Sequence, residues 1–140
     1  SNMGRSGRPG ASLRAFRDFL PEALLYGADI DKRILFEEDR IDTFFVDQTK
    51  IDTFYEIGKK IPDGLDVVID DGLHCPDANI NTVTFALSVL KPGGWLIVED
   101  IRLVALPVWR IVAQLLPEHM QANFVNANGS GMFVVQNGPK

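Results

Sequence analysis

Four short apolar runs in this 140-residue chain each end in a carboxylate, and stretches of helical periodicity lie between them. Ala23–Ile30 carries Asp29 at its end, Ile41–Val46 precedes Asp47, Leu65–Ile69 precedes Asp70-Asp71, and Trp95–Val98 precedes Glu99-Asp100. Strands that alternate with helices imply βαβ units, hence a parallel sheet with right-handed crossovers. In open sheets of this kind ligands bind beyond the carboxyl ends of the strands. Burial alone does not place an acid at four such ends. The pattern therefore predicts an α/β fold and also the edge of the sheet that carries its chemistry.

The connecting segments fit that frame. Ser12 is placed to N-cap a helix whose Leu13, Phe16, Phe19 and Leu20 form one stripe, and Pro21 stops it. Asp31–Asp39 reads as a short polar helix or turn. Lys50–Ile61 reads as a helix with Ile51, Phe54, Tyr55 and Ile57 inward, followed by a Pro62-Asp63-Gly64 turn. Pro76 suits the start of a helix running to Leu90, with Ile80, Val83, Leu87 and Leu90 facing the core. Lys91-Pro92-Gly93-Gly94 is a helix stop and turn. Pro107 divides Ile101–Leu116 into two helical pieces or kinks one. Phe124–Asn126 and Met132–Val135, joined across Asn128-Gly129-Ser130-Gly131, predict a terminal antiparallel hairpin.

Net charge is −5 with no cluster of Lys or Arg, which argues against nucleic acid and anionic membrane as partners, since both call for a basic face. The apolar runs are too short to span a bilayer, and no apolar segment of signal-peptide type follows the N-terminus. The single cysteine, Cys75, excludes an internal disulfide, so a reducing cytoplasm is the expected location. Ser1-Asn2 ahead of Met3 has the form of a tag-cleavage scar. Residues 1–3 are accordingly set apart, and residues 4–140 read as one truncated domain.

Asp-Val-Val-Ile-Asp-Asp-Gly-Leu-His (66–74), Leu-Lys-Pro-Gly-Gly-Trp (90–95) and Ile-Val-Glu-Asp (97–100) together resemble the metal-dependent sugar O-methyltransferases of macrolide biosynthesis. They are also similar to the cephalosporin-hydroxylase-like group. The resemblance runs from about Gly7 to the C-terminus. It implies the Rossmann-like sheet of class I S-adenosylmethionine-dependent methyltransferases, with strand order 3-2-1-4-5-7-6 and strand 7 antiparallel, in agreement with the hairpin. The family opens with a strand and a Gly-rich loop around the methionine part of the cofactor. Gly7–Leu13 looks like the second half of that loop, and the strand before it is missing.

Each candidate residue has a functional and an ordinary reading. Gly7, Gly10 and Ser12 lie at a helix N-terminus, where backbone N–H groups can approach an anionic group; a flexible terminal segment is also glycine-rich. Asp29, about twenty residues on, is placed to accept hydrogen bonds from ribose hydroxyls, or to cap the next helix, which Asp31 could do instead. The resemblance gives Asp47 the adenine amino group and adds Gln48 and Asp70 to the cofactor-binding set; for Asp47 the alternative is a turn-forming Asp. Asp71, Glu99 and Asp100 converge at neighbouring strand ends, where three carboxylates repel unless a hard cation such as Mg²⁺ joins them. The alternative is a set of solvated loop acids. His74, three residues past Asp71, can act as general base beside that cation, though a lone loop histidine is often mere surface. Cys75 has no second histidine placed to activate it, His119 being read on a later helix.

The expected reaction is methyl transfer from S-adenosylmethionine to a hydroxyl of a small molecule or sugar. Two rivals are kept. A nicotinamide-dependent oxidoreductase also uses a Gly loop and a strand-end acid, but would leave Glu99-Asp100 idle. A non-catalytic truncated fragment could fold, or pair with a second copy, without binding cofactor. Because the family's first strand lies at the centre of the sheet, its slot should be closed. The candidates are direct pairing of the strands ending at Asp29 and Ile69, a segment from a second copy in a homodimer, or Met3–Ser6.

Overall fold

The computed structural model describes residues 7–61, 63–127 and 130–138. The chain divides into two compact units, residues 1–47 and 48–140.

In the first unit, α1 (Ala11–Phe19) is followed by β1 (Leu25–Asp29), a 3₁₀ turn (Lys32–Ile34), the two-residue β2 (Glu37–Glu38) and β3 (Ile41–Phe45). β1 and β3 are parallel, with Leu25 opposite Ile41 and Asp29 opposite Phe45, and β2 returns antiparallel to β3. α1 lies against this sheet because Gly27 leaves room for Leu13, whose Cδ1 would be 2.6 Å from a Cβ there. The N-cap of α1 is Gly10 at φ 75°, not Ser12, which sits within the first turn. A left-handed cap favours glycine, and the Phe36 ring occupies the place a Cβ would take. At the other end of the helix Arg40 donates to the carbonyls of Arg17, Leu20 and Ala23.

In the second unit, α2 (Ile51–Gly58) leads to β4 (Leu65–Asp70), α3 (Pro76–Val89) and β5 (Leu90–Ile101). A 3₁₀ turn (Leu103–Ala105), α4 (Leu106–Leu115) and the hairpin β6 (Met120–Ala127) and β7 (Ser130–Asn137) complete it. Its sheet has the order β4-β5-β7-β6, with β4 and β5 parallel and both pairings of β7 antiparallel. The core gathers Val68, Val83, Ala86, Leu96, Val98, Trp109, Phe133 and Val135. Trp109 stacks 4.8 Å from the Phe133 ring, and Phe54 joins α2 to Phe85 of α3.

The α/β expectation holds, with the terminal hairpin longer than its sequence signal. In family order the two sheets supply strands 2 and 3, with β2 added, and strands 4-5-7-6. No strand precedes α1 among the described residues. Among the described residues β1 forms its ladder with β3, and β4 with β5. Met3–Ser6 and the scar residues lie outside the described residues.

Four local expectations are corrected. In α2, Phe54 and Ile57 are buried while Tyr55 is 48% exposed. In α3 the buried face is Ala78, Asn79, Thr82, Val83, Phe85 and Ala86, and Ile80 and Leu87 point outward. Lys91–Gly94 belongs to the span of β5 but loops out of its ladder, since Leu65 pairs with Leu90 and Val67 already with Trp95. His119 lies in the turn before β6, not on a helix. Pro107 stands at the start of α4, the position where its missing N–H costs nothing.

Candidate active site

In the first unit the expected cofactor residues occupy separate places. Gly7 and Ser12 are exposed around the α1 N-terminus, and Asp47 follows the end of β3. Asp29 closes β1, and its Oδ1 accepts the Asp31 N–H at 2.8 Å. Asp31 is the residue that caps the 3₁₀ turn, its carboxylate accepting the Arg33 N–H at 3.0 Å. The Arg33 side chain, with that N–H, holds the Asp31 carboxyl down at about 2.

The second unit brings the catalytic candidates together. β4 ends at Asp70, and the loop Asp71-Gly72-Leu73-His74 climbs to Pro76, where α3 begins. His74 takes φ 50°, unusual for a residue with a side chain. Beside this loop β5 is bulged. Val98 pairs with Phe133 and Ile101 with Gly131, so three steps on β5 match two on β7. Asp100 sits in the bulge at φ 53°. Bulges of this kind re-aim side chains next to active sites, and here the carboxylate turns toward the Asp71 loop. His74 Nε2 stands 3.8 Å from Asp71 Oδ1 and 4.0 Å from Asp100 Oδ2.

One ligand atom from each of Asp71, His74 and Asp100 falls within 4.8 Å of the others. The sequence expectation grouped Asp71, Glu99 and Asp100; in the structure His74 stands in the close set and Glu99 beside it. Glu99 still feels the cluster. Burial first, then the charges of Asp71 and Asp100, push its carboxyl above the ordinary value. Acids crowded so that one is reluctant to ionise are a donor set that a hard cation suits. Ser130 steadies one side by donating to Asp100 Oδ1 at 3.0 Å. His74 Nδ1 is buried without a hydrogen-bond partner.

Asp70 and Gln48 do not join this cluster. They meet below it: Gln48 Nε2 donates to both Asp70 oxygens at 2.7 Å, and Asn79 Nδ2 adds a bond of 2.9 Å. Sequence reasoning misses Asn79 and Thr82 in this network and Ser130 beside Asp100. The available signal is two polar residues, Asn79 and Thr82, at helical spacing on what becomes the buried face of α3. A cavity of about 210 Å³ opens beside His74, lined by Cys75, Asn79, Ile101, Val104 and Trp109 among others. Burial, then the bond to Asp77, pushes the Cys75 thiol up, away from nucleophilic use. The chain holds a Tyr-x-x-x-Lys spacing of oxidoreductase type, Tyr55 to Lys59, against the expectation that it holds none. Lys59 is bound to Glu56 at 2.6 Å, on a helix whose Tyr55 faces outward.

No family model matches the chain. Among curated proteins it is 36% identical over 93 residues to demethylmacrocin O-methyltransferase of Streptomyces fradiae. It is 31% identical over 93 residues to 8-demethyl-8-alpha-L-rhamnosyl tetracenomycin-C 2'-O-methyltransferase of Streptomyces olivaceus. Each match takes in 66% of this chain, which spans about a quarter of those proteins, 23% and 24%. Among solved structures, the MycE methyltransferase of the mycinamycin biosynthetic pathway, in complex with Mg and SAH, aligns with a TM-score of 0.72 at 22% identity. That alignment covers 97% of this chain and 43% of MycE. An O-methyltransferase from Bacillus cereus in complex with SAH aligns with a TM-score of 0.57 at 14% identity, over 71% of this chain and 51% of that one. Over the matched residues the chain is a homologue of these O-methyltransferases, and its fold is that of class I methyltransferases.

Proposed function

We propose that the chain forms the catalytic core of an S-adenosylmethionine-dependent, Mg²⁺-assisted O-methyltransferase acting on a hydroxyl of a small molecule or sugar. The observation that carries this reading is the convergence of Asp71, His74 and Asp100 beyond the ends of two adjacent parallel strands. The relatives named above act, by name, as sugar and macrolide O-methyltransferases, and MycE was solved with Mg and SAH.

Gly7, Gly10, Ser12, Asp29 and Asp47 are the residues proposed to meet the nucleoside and methionine parts of the cofactor. Asp71, Asp100 and Glu99 would hold the cation, whose charge would lower the pKa of an acceptor hydroxyl. His74 Nε2 faces those carboxylates and takes the hydroxyl proton. The cofactor, when bound, would supply a sulfonium methyl to the acceptor oxygen in line, the electron pair of the broken C–S bond staying on sulfur. Ile101, Val104 and Ala105 border the cavity beside His74 and offer an apolar wall to the acceptor. Most of the acceleration comes from orientation and charge stabilisation.

Calorimetric titration with S-adenosylhomocysteine and with NAD, each with and without Mg²⁺, separates this function from an oxidoreductase and from an inert fragment. Binding of S-adenosylhomocysteine alone is expected. In an active preparation His74→Ala abolishes turnover and leaves cofactor affinity nearly unchanged, because a base acts in the transition state. Retained turnover removes His74 from that role, and lost cation binding makes it a ligand instead.

A further inference from the structure

We propose that Gln48, bonded to Asp70 and Thr82, is a positioning residue that fixes the Asp71–His74 loop for cation binding and proton transfer. This rests on the reading of that loop as the catalytic one. It also gives Gln48 and Asp70 a role different from the cofactor contact expected of them.

Asp70 is 4% exposed, Asn79 2% and Thr82 5%. A carboxylate that deep must be met by donors. It is: the Gln48 amide reaches both oxygens, Asn79 one, and the Gly72 N–H donates to Oδ1 at 3.1 Å. Gln48 is the hub. Its Nε2 also lies 3.0 Å from Thr82 Oγ1, its Oε1 accepts the Leu73 N–H at 2.9 Å, and its backbone carbonyl accepts Asn81 Nδ2 at 2.9 Å.

Two consecutive loop N–H groups, of Gly72 and Leu73, are thus held from below, one by Asp70 and one by Gln48. The residue before them, Asp71, and the residue after them, His74, are the two members of the cluster that this loop carries. A Cβ at position 72 would meet the Gln48 amide, so a side chain there pushes that amide aside. Loop and amide are therefore fitted to each other. Hydrogen bonds to an ionised group are about twice as strong as neutral ones, so Asp70 makes the clamp stiff. Its side-chain oxygens and the Gln48 amide are spent on the protein itself, which leaves them poor ligands for a nucleoside. Partners one shell out from a metal ligand commonly change metal affinity about 10–100-fold.

The test uses the full chain and two readouts, amide hydrogen exchange at Gly72 and Leu73 and Mn²⁺ affinity by electron paramagnetic resonance. In Gln48→Ala, exchange at the Leu73 amide is expected to quicken roughly tenfold, the scale of one net hydrogen bond. Mn²⁺ affinity is expected to fall about 10–100-fold, while β5–β7 amides keep their protection. Gly72→Ala keeps every polar group, displaces the Gln48 amide and should act in the same direction; it stands in if Gln48→Ala does not fold. Gln48→Glu paired with Asp70→Asn exchanges donor and acceptor and should recover much of the affinity that Gln48→Glu alone loses. Unchanged Mn²⁺ affinity in both single variants, despite faster exchange, would make the network a stabilising device only and overturn the proposal. If the unsubstituted chain binds no Mn²⁺, the cation reading itself fails, and unaltered exchange at Leu73 in Gln48→Ala separately sinks the clamp.

Discussion

The two units solve the same problem, a sheet with a helix against it, by different means. In residues 7–47 only Ile41 and Val46 are buried apolar side chains, and α1 buries none of its residues. That unit leans on charge. Arg14 and Arg17 both bind Glu38, at 2.6 and 2.9 Å, and Arg40 gathers three carbonyls. In the second unit a continuous apolar cluster fills the space between sheet and helices, and Asp70 is buried within a hydrogen-bonded network. Exposed ion pairs contribute about 0–1 kcal/mol each, whereas burying one large side chain contributes about 1.5–3 kcal/mol. A precise catalytic cluster needs a rigid base, and the candidate cluster lies in the unit with the larger apolar core.

The largest effect expected from this contrast is at Trp109, which is 2% exposed against Phe133. Trp109→Ala should cost about 3–5 kcal/mol, read as a fall in the urea midpoint of the transition reported by β5–β7 amides. A change below about 1 kcal/mol, the range of ordinary surface substitutions, would break the contrast. Arg40→Ala should be felt in the first unit, at about 1–2 kcal/mol for hydrogen bonds made by a charged donor. Its signature is faster amide exchange at the C-terminal turn of α1, with protection in β5 and β7 retained.

The smallest effect is a gain. Glu99 has its carboxyl raised by burial and by Asp71 and Asp100. A raised acid binds its proton more tightly folded than unfolded, so folding loses stability as pH rises from the unfolded value of 4.5 through the folded one. Glu99→Gln should therefore raise Tm at pH 7 without divalent cation, the gain vanishing well below pH 4.5. The same substitution should weaken cation binding. A Tm lowered at pH 7 would contradict this sign.

The sequence made the strand ends legible because burial and alternation leave a plain signal: Asp29, Asp70-Asp71 and Glu99-Asp100 lie where the apolar runs stop. It hid what sits beneath them. Ile80 and Leu87 suggest a core face for α3, but the helix turns Asn79 and Thr82 inward instead, because Asp70 and Gln48 need donors and acceptors there. Apolar periodicity cannot report a buried polar face. The β5 bulge was equally silent, since Glu99-Asp100 reads as an ordinary strand end, while the register with Phe133 and Gly131 is set by the distant β7. That bulge turns Asp100 toward His74 and leaves Glu99 beside the close set.

The central claim is that Asp71, Asp100 and their neighbours hold one divalent cation. Calorimetric titration of Mg²⁺ into the chain and into Asp100→Asn tests it most directly. Asparagine tolerates the left-handed backbone of residue 100 as aspartate does, so the variant removes charge and little else. A single Mg²⁺ site per chain is predicted, weakened at least about tenfold in Asp100→Asn, in the range of losing one charge-assisted contact. No binding to the unsubstituted chain, or equal binding to both, would contradict it.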